Sequence, residues 1–217
     1  MKELLRRNSK ILYSYLVFLA LGITLVLVFG KADIHIFINS KATPFADFVF
    51  KYLTHLGDGL SAVAVILLLL FFSFRSSFTQ FMAFLSSGLI AQLLKRFAFK
   101  GMPRPRTFFE GIYDLHLVEG IKVLKLHTFP SGHTATAFAL FFCLIFTTKN
   151  SYLRVFYFLL ALLVGYSRMH LSQHFFPDVL AGSFIGVITA ILSIYIVNRW
   201  KASWLDRSLQ KQLSSKK

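Results

Sequence analysis

The sequence predicts an all-α fold, an integral membrane bundle of six helices with its polar chemistry on the outward-facing side. Three observations carry that expectation. Of the 217 residues, 56% are hydrophobic and 15% charged, and the mean hydropathy is +0.63, too apolar for an ordinary soluble domain. The apolar residues fall in six uncharged runs, 11–29, 60–74, 76–94, 134–148, 155–167 and 179–198, most of them near the ~20 residues that a helix needs to cross a hydrocarbon core. The charge lies between these runs, and unevenly.

The first run follows Lys2, Arg6, Arg7 and Lys10 as a secretory signal would, but it exceeds the roughly 7–15 apolar residues of a cleavable one, so it reads as a span. An even number of spans puts both termini on one side. That side takes the amino terminus, Arg75, the turn over 149–154 and the tail after Asn198, with 13 basic and 2 acidic residues; the other takes 11 and 7. By the positive-inside rule the termini are cytoplasmic. Trp200 and Trp204, beside Arg199 and Lys201, suit an anchor at the inner interface. Topology thus accounts for the net charge of +15, with the bilayer as partner and no nucleic acid. Cys143, inside an apolar run, excludes a disulfide framework or a thiolate metal cluster. No repeat or linker divides the chain, so residues 1–217 read as one membrane domain. Oligomeric state is not legible.

All five prolines and all seven histidines fall on the outer side. The runs 134–148 and 155–167 are short, covering about 20–23 Å as helices, which sets their outer ends near headgroup depth. Residues 95–130 read as an irregular loop, punctuated by Gly101, Pro103, Pro105, Gly111 and Gly120, with a turn or short amphipathic piece over 108–123. Residues 33–56 suit an amphipathic helix along the outer interface, and equally one packed over the active face.

Three polar clusters occupy that face. The first is Lys95, Arg96, Lys100, Arg104 and Arg106. Snorkelling explains Arg96 and Arg106 as well as function does, whereas Arg104, fixed between Pro103 and Pro105, suits an anion clamp. In the second, Pro130-Ser131-Gly132-His133, a helix starting here presents free amides and its positive end to an anion, with Gly132 allowing close approach. A plain N-cap by Ser131 fits the same residues but leaves His133 unexplained. The third runs from Ser167-Arg168 through His174 to Asp178, where the acid, four residues on, can hold one imidazole nitrogen and free the other to attack. His170, His174 and Asp178 also have ligand spacing, but Pro177 and the lack of further carboxylates argue against metal. Together the clusters provide cations and amides for a phosphate, a nucleophile with its acid, and a second histidine for proton delivery, with neither metal nor cofactor required.

Lys95 to Arg104-Pro105, Pro130-Ser131-Gly132-His133 and Ser167-Arg168-x5-His174-x3-Asp178 resemble the three signatures of the type 2 phosphatidic acid phosphatase family, whose fold is shared with vanadium haloperoxidases. The resemblance covers about residues 55–198. It implies that His174 attacks phosphorus, that Asp178 orients it and that His133 protonates the leaving oxygen. Arg104, Arg168, Ser131, the Gly132 amide and a lysine of the first signature then hold the phosphate oxygens. The family pattern has six residues between lysine and Arg-Pro, which would put Phe97 at the lysine position. Lys95, at the end of the third run with a two-residue insertion after it, is the choice here, and Lys100 the alternative.

The implied activity is removal of phosphate from a lipid monophosphate or diphosphate at the outer leaflet of a bacterial inner membrane. Undecaprenyl diphosphate, phosphatidylglycerol phosphate, phosphatidic acid and lipid A phosphates are the candidate substrates. Arg96, Arg106, Lys122 and Lys125 slightly favour a strongly anionic headgroup. A transporter lined by intramembrane arginines and histidines is the rival from another class, disfavoured because the polar residues gather at one face. Haloperoxidase-like activity on the same fold is a smaller rival.

Overall fold

In the computed structural model of the chain, which describes residues 2–210, regular structure is helical, and β pairing among those residues amounts to one isolated bridge between Pro103 and Leu126. After a turn at Lys2–Arg7 come α1 (Ser9–Asn39), α2 (Pro44–Leu53), α3 (Gly59–Phe72), α4 (Phe74–Leu93), α5 (Gly132–Thr147), α6 (Ser151–His170) and α7 (Phe176–Arg199). Four helices, α1, α4 with its extension to Ala98, α6 and α7, are long and apolar enough to cross a membrane. A fifth candidate combines Pro44–Gly57 with α3 across a 55° bend, and α5 is a shorter apolar helix of 16 residues. Lys211, Lys216 and Lys217, counted above with the basic tail, lie outside the described residues.

The six apolar runs all fall on helices, but several ends move. Ser73 leaves helical geometry between α3 and α4, where its side chain accepts the Ser76 amide at 3.2 Å. Arg75, expected in a turn, therefore sits in the first turn of α4, and donates to Asp206 at 2.8 Å and to the Val197 carbonyl at 2.7 Å. The fifth run is not a short helix: α6 has 20 residues, because its first turn is capped by Asn150 and its last turn carries Arg168 and His170 in partnered positions. Charge at those ends had masked helix that continues.

Helix α5 is the axis of the fold. It packs on α4, α6 and α7 and is buried almost all round, with Phe138, Phe142, Phe146 and Ile145 among the largest fully enclosed side chains. A helix apolar on every face belongs inside a bundle. Its contact with α7 is close because two glycines of α7 face it. A Cβ at Gly186 would lie 2.5 Å from the Ala135 carbonyl oxygen and 2.6 Å from Phe138 Cβ, and one at Gly182 would lie 2.5 Å from the Ser131 carbonyl oxygen. Helix α1 joins this core through Tyr15, whose hydroxyl is 3.2 Å from Ser183 Oγ. Leu16, Val17, Leu21, Leu27 and Val28 on α1 are exposed, as lipid-facing side chains are.

At Gly30 (φ 74°, ψ 165°) α1 breaks, a backbone geometry open to glycine, and residues 31–39 continue across the polar end of the bundle. There His35 meets Ser172 at 3.3 Å, and Asn39 exchanges hydrogen bonds with the His116 backbone at 2.8 and 2.9 Å. Helix α2 follows, started by Thr43 and Pro44, and a 3₁₀ turn at Thr54–Gly57 delivers the chain to α3. Of the two expectations for residues 33–56, the structure takes the second: the segment packs over the polar end of the bundle. Residues 109–123 are turns and irregular chain, preceded by the single helical turn Pro105–Phe108.

The α5–α7 contact gives a stability prediction. Gly186→Ala forces fixed backbone and Cβ atoms apart, and overpacking of about 1–3 kcal/mol should lower the melting temperature in detergent by roughly 2–10 °C. Gly88→Ala, where nothing lies within 4 Å of the new Cβ, should leave it within about 2 °C.

Candidate active site

The polar ends of α4, α5 and α6 and the connection from α6 to α7 surround a cavity of about 640 Å³, covered by the α2–α3 turn and by the loop before α5. Lys95, Arg104, Gly132, His133, Arg168 and His174 all line it. Residues expected to act together from three distant stretches of sequence thus meet in one place.

His174 lies in the connection from α6 to α7. Ser172, at φ 50°, turns the chain sharply, and the amides of Gln173 and His174 both donate to the Arg168 carbonyl, at 2.9 and 3.1 Å. That left-handed conformation is unfavourable for a side-chain-bearing residue and needs outside support. His35 and Asn39 on the continuation of α1 give it, through the Ser172 hydroxyl. The imidazole is 1% exposed. Its Nδ1 is 3.4 Å from Asp178 Oδ2 and its Nε2 3.5 Å from Arg104 Nη1. Burial first, and then the cations Arg104, Lys95 and Arg168, push its pKa well below the usual histidine range, so the ring is neutral with a lone pair on offer.

Asp178 occupies the third position of α7, after Pro177 has begun the helix. Its Oδ2 accepts from the Phe175 amide at 2.8 Å and from the Thr128 hydroxyl. Two donors fix the carboxylate before His174 is considered. Arg104 is fixed as firmly. Its Nε donates to the Leu126 carbonyl at 3.0 Å, and its Nη1 to the Gln173 carbonyl and side chain at 3.0 and 3.1 Å. Arg168 donates to Thr54 Oγ1 at 2.6 Å, while its buried Nε has no partner among the described residues.

Ser131 caps α5, accepting from the Thr134 amide at 3.4 Å and from the Thr134 hydroxyl at 2.8 Å. It is fully buried and outside the cavity lining, whereas Gly132, the next residue, is in it. The amides of Gly132 and His133 are left over at the helix start, without an acceptor among the described residues and with the positive helix end behind them. His133 extends from the same turn, with its Nε2 2.6 Å from Asp58 Oδ1.

Of the two candidate lysines, Lys95 is buried in the cavity lining and Lys100 is exposed outside it. The reason is local: α4 widens into a π turn at Leu94–Ala98, which takes up extra chain directly after α4 and turns Lys95 inward. The Lys95 ammonium sits 4.0 Å from the position a Cβ would have on Gly132. Arg96 and Arg106 are exposed. His170 pairs with Asp47 at 2.7 Å, and Asp47 with His116 at 2.8 Å, so His170 does not join His174. Among the described residues no group of three or more His, Cys, Asp or Glu is placed to hold a metal ion.

Residues 76–202 match the model of the PAP2 superfamily, more than half of the chain. The chain is a member of that family. The matched stretch contains all three polar clusters, Lys95 to Pro105, Pro130 to His133 and Ser167 to Asp178. Over 116 residues the chain is 33% identical to lipid A 1-phosphatases of Rhizobium johnstonii and Rhizobium etli, covering 52% of this chain and 44% and 47% of those proteins. The chain thus spans about half the length of the curated relatives it matches. Among solved structures, LpxE of Aquifex aeolicus superposes with a TM-score of 0.68 at 28% identity, over 76% of this chain and 94% of that one. A PAP2-type phosphatidylglycerolphosphate phosphatase of Bacillus subtilis gives 0.66 at 20% identity, over 88% and 98%, and shares the fold.

Thr128, Gln173, Thr54 and Asp58 were not anticipated from the sequence. Thr128 and Gln173 lie next to signature residues without belonging to them. Thr54 and Asp58 lie outside the matched stretch and belong to none of the three clusters.

The lysine assignment is testable by kinetics. Lys95→Ala should lower kcat on a lipid phosphate by about 10²–10³, as loss of a positioned cation does. Lys100→Ala should cost roughly tenfold or less, and less still at high salt. The reverse ranking would assign the first signature to Lys100.

Proposed function

We propose that this chain is a membrane phosphatase that removes phosphate from a lipid monophosphate or diphosphate through a phosphohistidine on His174. The observation that carries this reading is the placement of His174, with Nδ1 toward Asp178 and Nε2 toward Arg104, in a cavity of buried cations at the ends of apolar helices. In the reaction, His174 Nε2 attacks phosphorus, a P–N bond forms and the P–O bond to the lipid breaks as His133 gives its proton to the leaving oxygen. Water then attacks the phosphohistidine, His133 takes the water's proton, and inorganic phosphate leaves. Arg104, Arg168, Lys95 and the Gly132 and His133 amides hold the phosphate oxygens in both steps. Ser131 supports them as the cap that leaves those amides free.

Six spans, with cytoplasmic termini and an outward site, fit this reading. The basic inner loops support the orientation, and α5 together with the bent α2–α3 pair supports the count. A bacterial inner membrane fits the organisms of the relatives. Lipid A phosphates and phosphatidylglycerol phosphate come from the names of those relatives, and undecaprenyl diphosphate and phosphatidic acid belong to the same chemical class.

A phosphate-release assay on purified protein in detergent, run over these lipids in excess EDTA, tests the reading. Wild type should turn over at least one of them in EDTA, since the cavity's own cations neutralise the phosphate, and vanadate should inhibit as a mimic of the five-coordinate state. His174→Ala should lose at least about 10³-fold while keeping its melting temperature. Activity of that variant above about a hundredth of wild type, or wild-type activity restored only by added divalent metal, would contradict the mechanism.

A further inference from the structure

Opposite His174, the wall of the cavity is formed by the turn between α2 and α3, which is outside the stretch that matches the family. Its carboxylate, Asp58, is bound on both oxygens by imidazoles: Oδ1 by His133 Nε2 at 2.6 Å, and Oδ2 by His55 Nδ1 at 2.6 Å. The approach is enforced by packing. A Cβ on Gly57 would lie 2.8 Å from the His133 carbonyl oxygen and 2.8 Å from Val164 Cγ1, so only glycine lets this turn lie directly against the start of α5. Thr54, from the same turn, holds Arg168.

From this we infer that Asp58 is a positioning residue for the proton-transfer step: it holds His133 by Nε2, so that the transferred proton is the one on Nδ1, and balances the charge of its imidazolium form. The inference rests on the phosphatase reading above. A carboxylate is needed there because the other charged groups acting on the ring are cations, Arg168 from α6 and Lys95 from the end of α4, with Arg104 from the loop and His174 from the α6–α7 connection lining the same cavity. Those cations favour loss of the very proton that the leaving oxygen requires. His55, 64% exposed, occupies the second oxygen and links the pair to solvent. Asp58 makes no cap bond with its side chain, so these imidazoles are its assigned partners.

Asp58→Asn keeps the shape and removes the charge. In single-turnover cleavage it should slow release of a lipid alcohol by roughly 10- to 100-fold, part of the 10²–10⁴ available to a general acid. Release of p-nitrophenolate from p-nitrophenyl phosphate, a leaving group that needs no proton, should fall by about threefold or less. With the charge gone, the imidazolium loses its proton at lower pH, so the alkaline limb of the lipid reaction should move to lower pH. In a His133→Ala background, Asp58→Asn should add no further loss. Equal losses on both substrates, an unmoved limb, or a full additional loss in the His133→Ala background would overturn the inference. His174→Ala measured alongside separates the two claims: its retention of activity would defeat the phosphatase reading, whereas the Asp58 results bear on the acid alone.

Discussion

Lys95, Arg104 and Arg168, each less than one-tenth exposed, share one cavity with few free anions to answer them. Asp178 is committed to Thr128, the Phe175 amide and His174, and Asp58 to two histidines. Like charges held together away from water repel, and each loses hydration that only strong hydrogen bonds or an anion can replace. The protein meets part of this cost with neutral acceptors: the Leu126 and Gln173 carbonyls and the Gln173 amide oxygen for Arg104, and the Thr54 hydroxyl for Arg168. The rest is left open, most plainly at the unpartnered Arg168 Nε and the free amides that begin α5. A tetrahedral dianion completes such a site, and one that spreads charge over three equatorial oxygens in reaction completes it better.

Keeping those cations in place requires a stiff frame, which explains where the chain spends its packing. The glycines of α7 bring α5 close enough for the Ser131 amide to donate to the Asp178 carbonyl at 3.0 Å, so the second and third signatures are joined by backbone. The left-handed turn at Ser172, which aims His174, is secured by His35 and Asn39 from beyond the break at Gly30. Asp47, between His116 and His170, fastens α2 to the end of α6 and to the loop before α5. The segment from 31 to 58 is therefore a strap across the site, and its residues act through those they hold.

Hydrophobic runs and charge placement made the membrane helices legible, because lipid demands a long apolar surface regardless of what the helix touches. That the three polar clusters belong together was legible from their residue types, cations beside prolines, a serine and glycine before a helix, and a histidine four residues before an acid, and the cavity holds Lys95, Arg104, Gly132, His133, Arg168 and His174 from them. Helix ends were less so: Arg168 and His170 looked like loop because their partners, Thr54 and Asp47, are more than a hundred residues away. The same limit concealed Asp58 and Thr128, whose roles come from tertiary contact and leave no local pattern. The burial of Lys95 and the exposure of Lys100 accompany a π turn at Leu94–Ala98, a backbone detail that no spacing rule contains.

The central claim is that His174 Nε2 becomes bonded to phosphorus during turnover, and direct trapping of that bond tests it most closely. Wild-type protein would be mixed with a ³²P-labelled lipid phosphate, quenched in alkali within the first turnover and digested for peptide mapping. The account predicts label on the peptide containing His174, stable in base and lost in acid as a phosphoramidate is, and none in His174→Ala. Turnover at the wild-type rate with label on another residue, or with none above background under conditions where hydrolysis of the intermediate is rate-limiting, would contradict it.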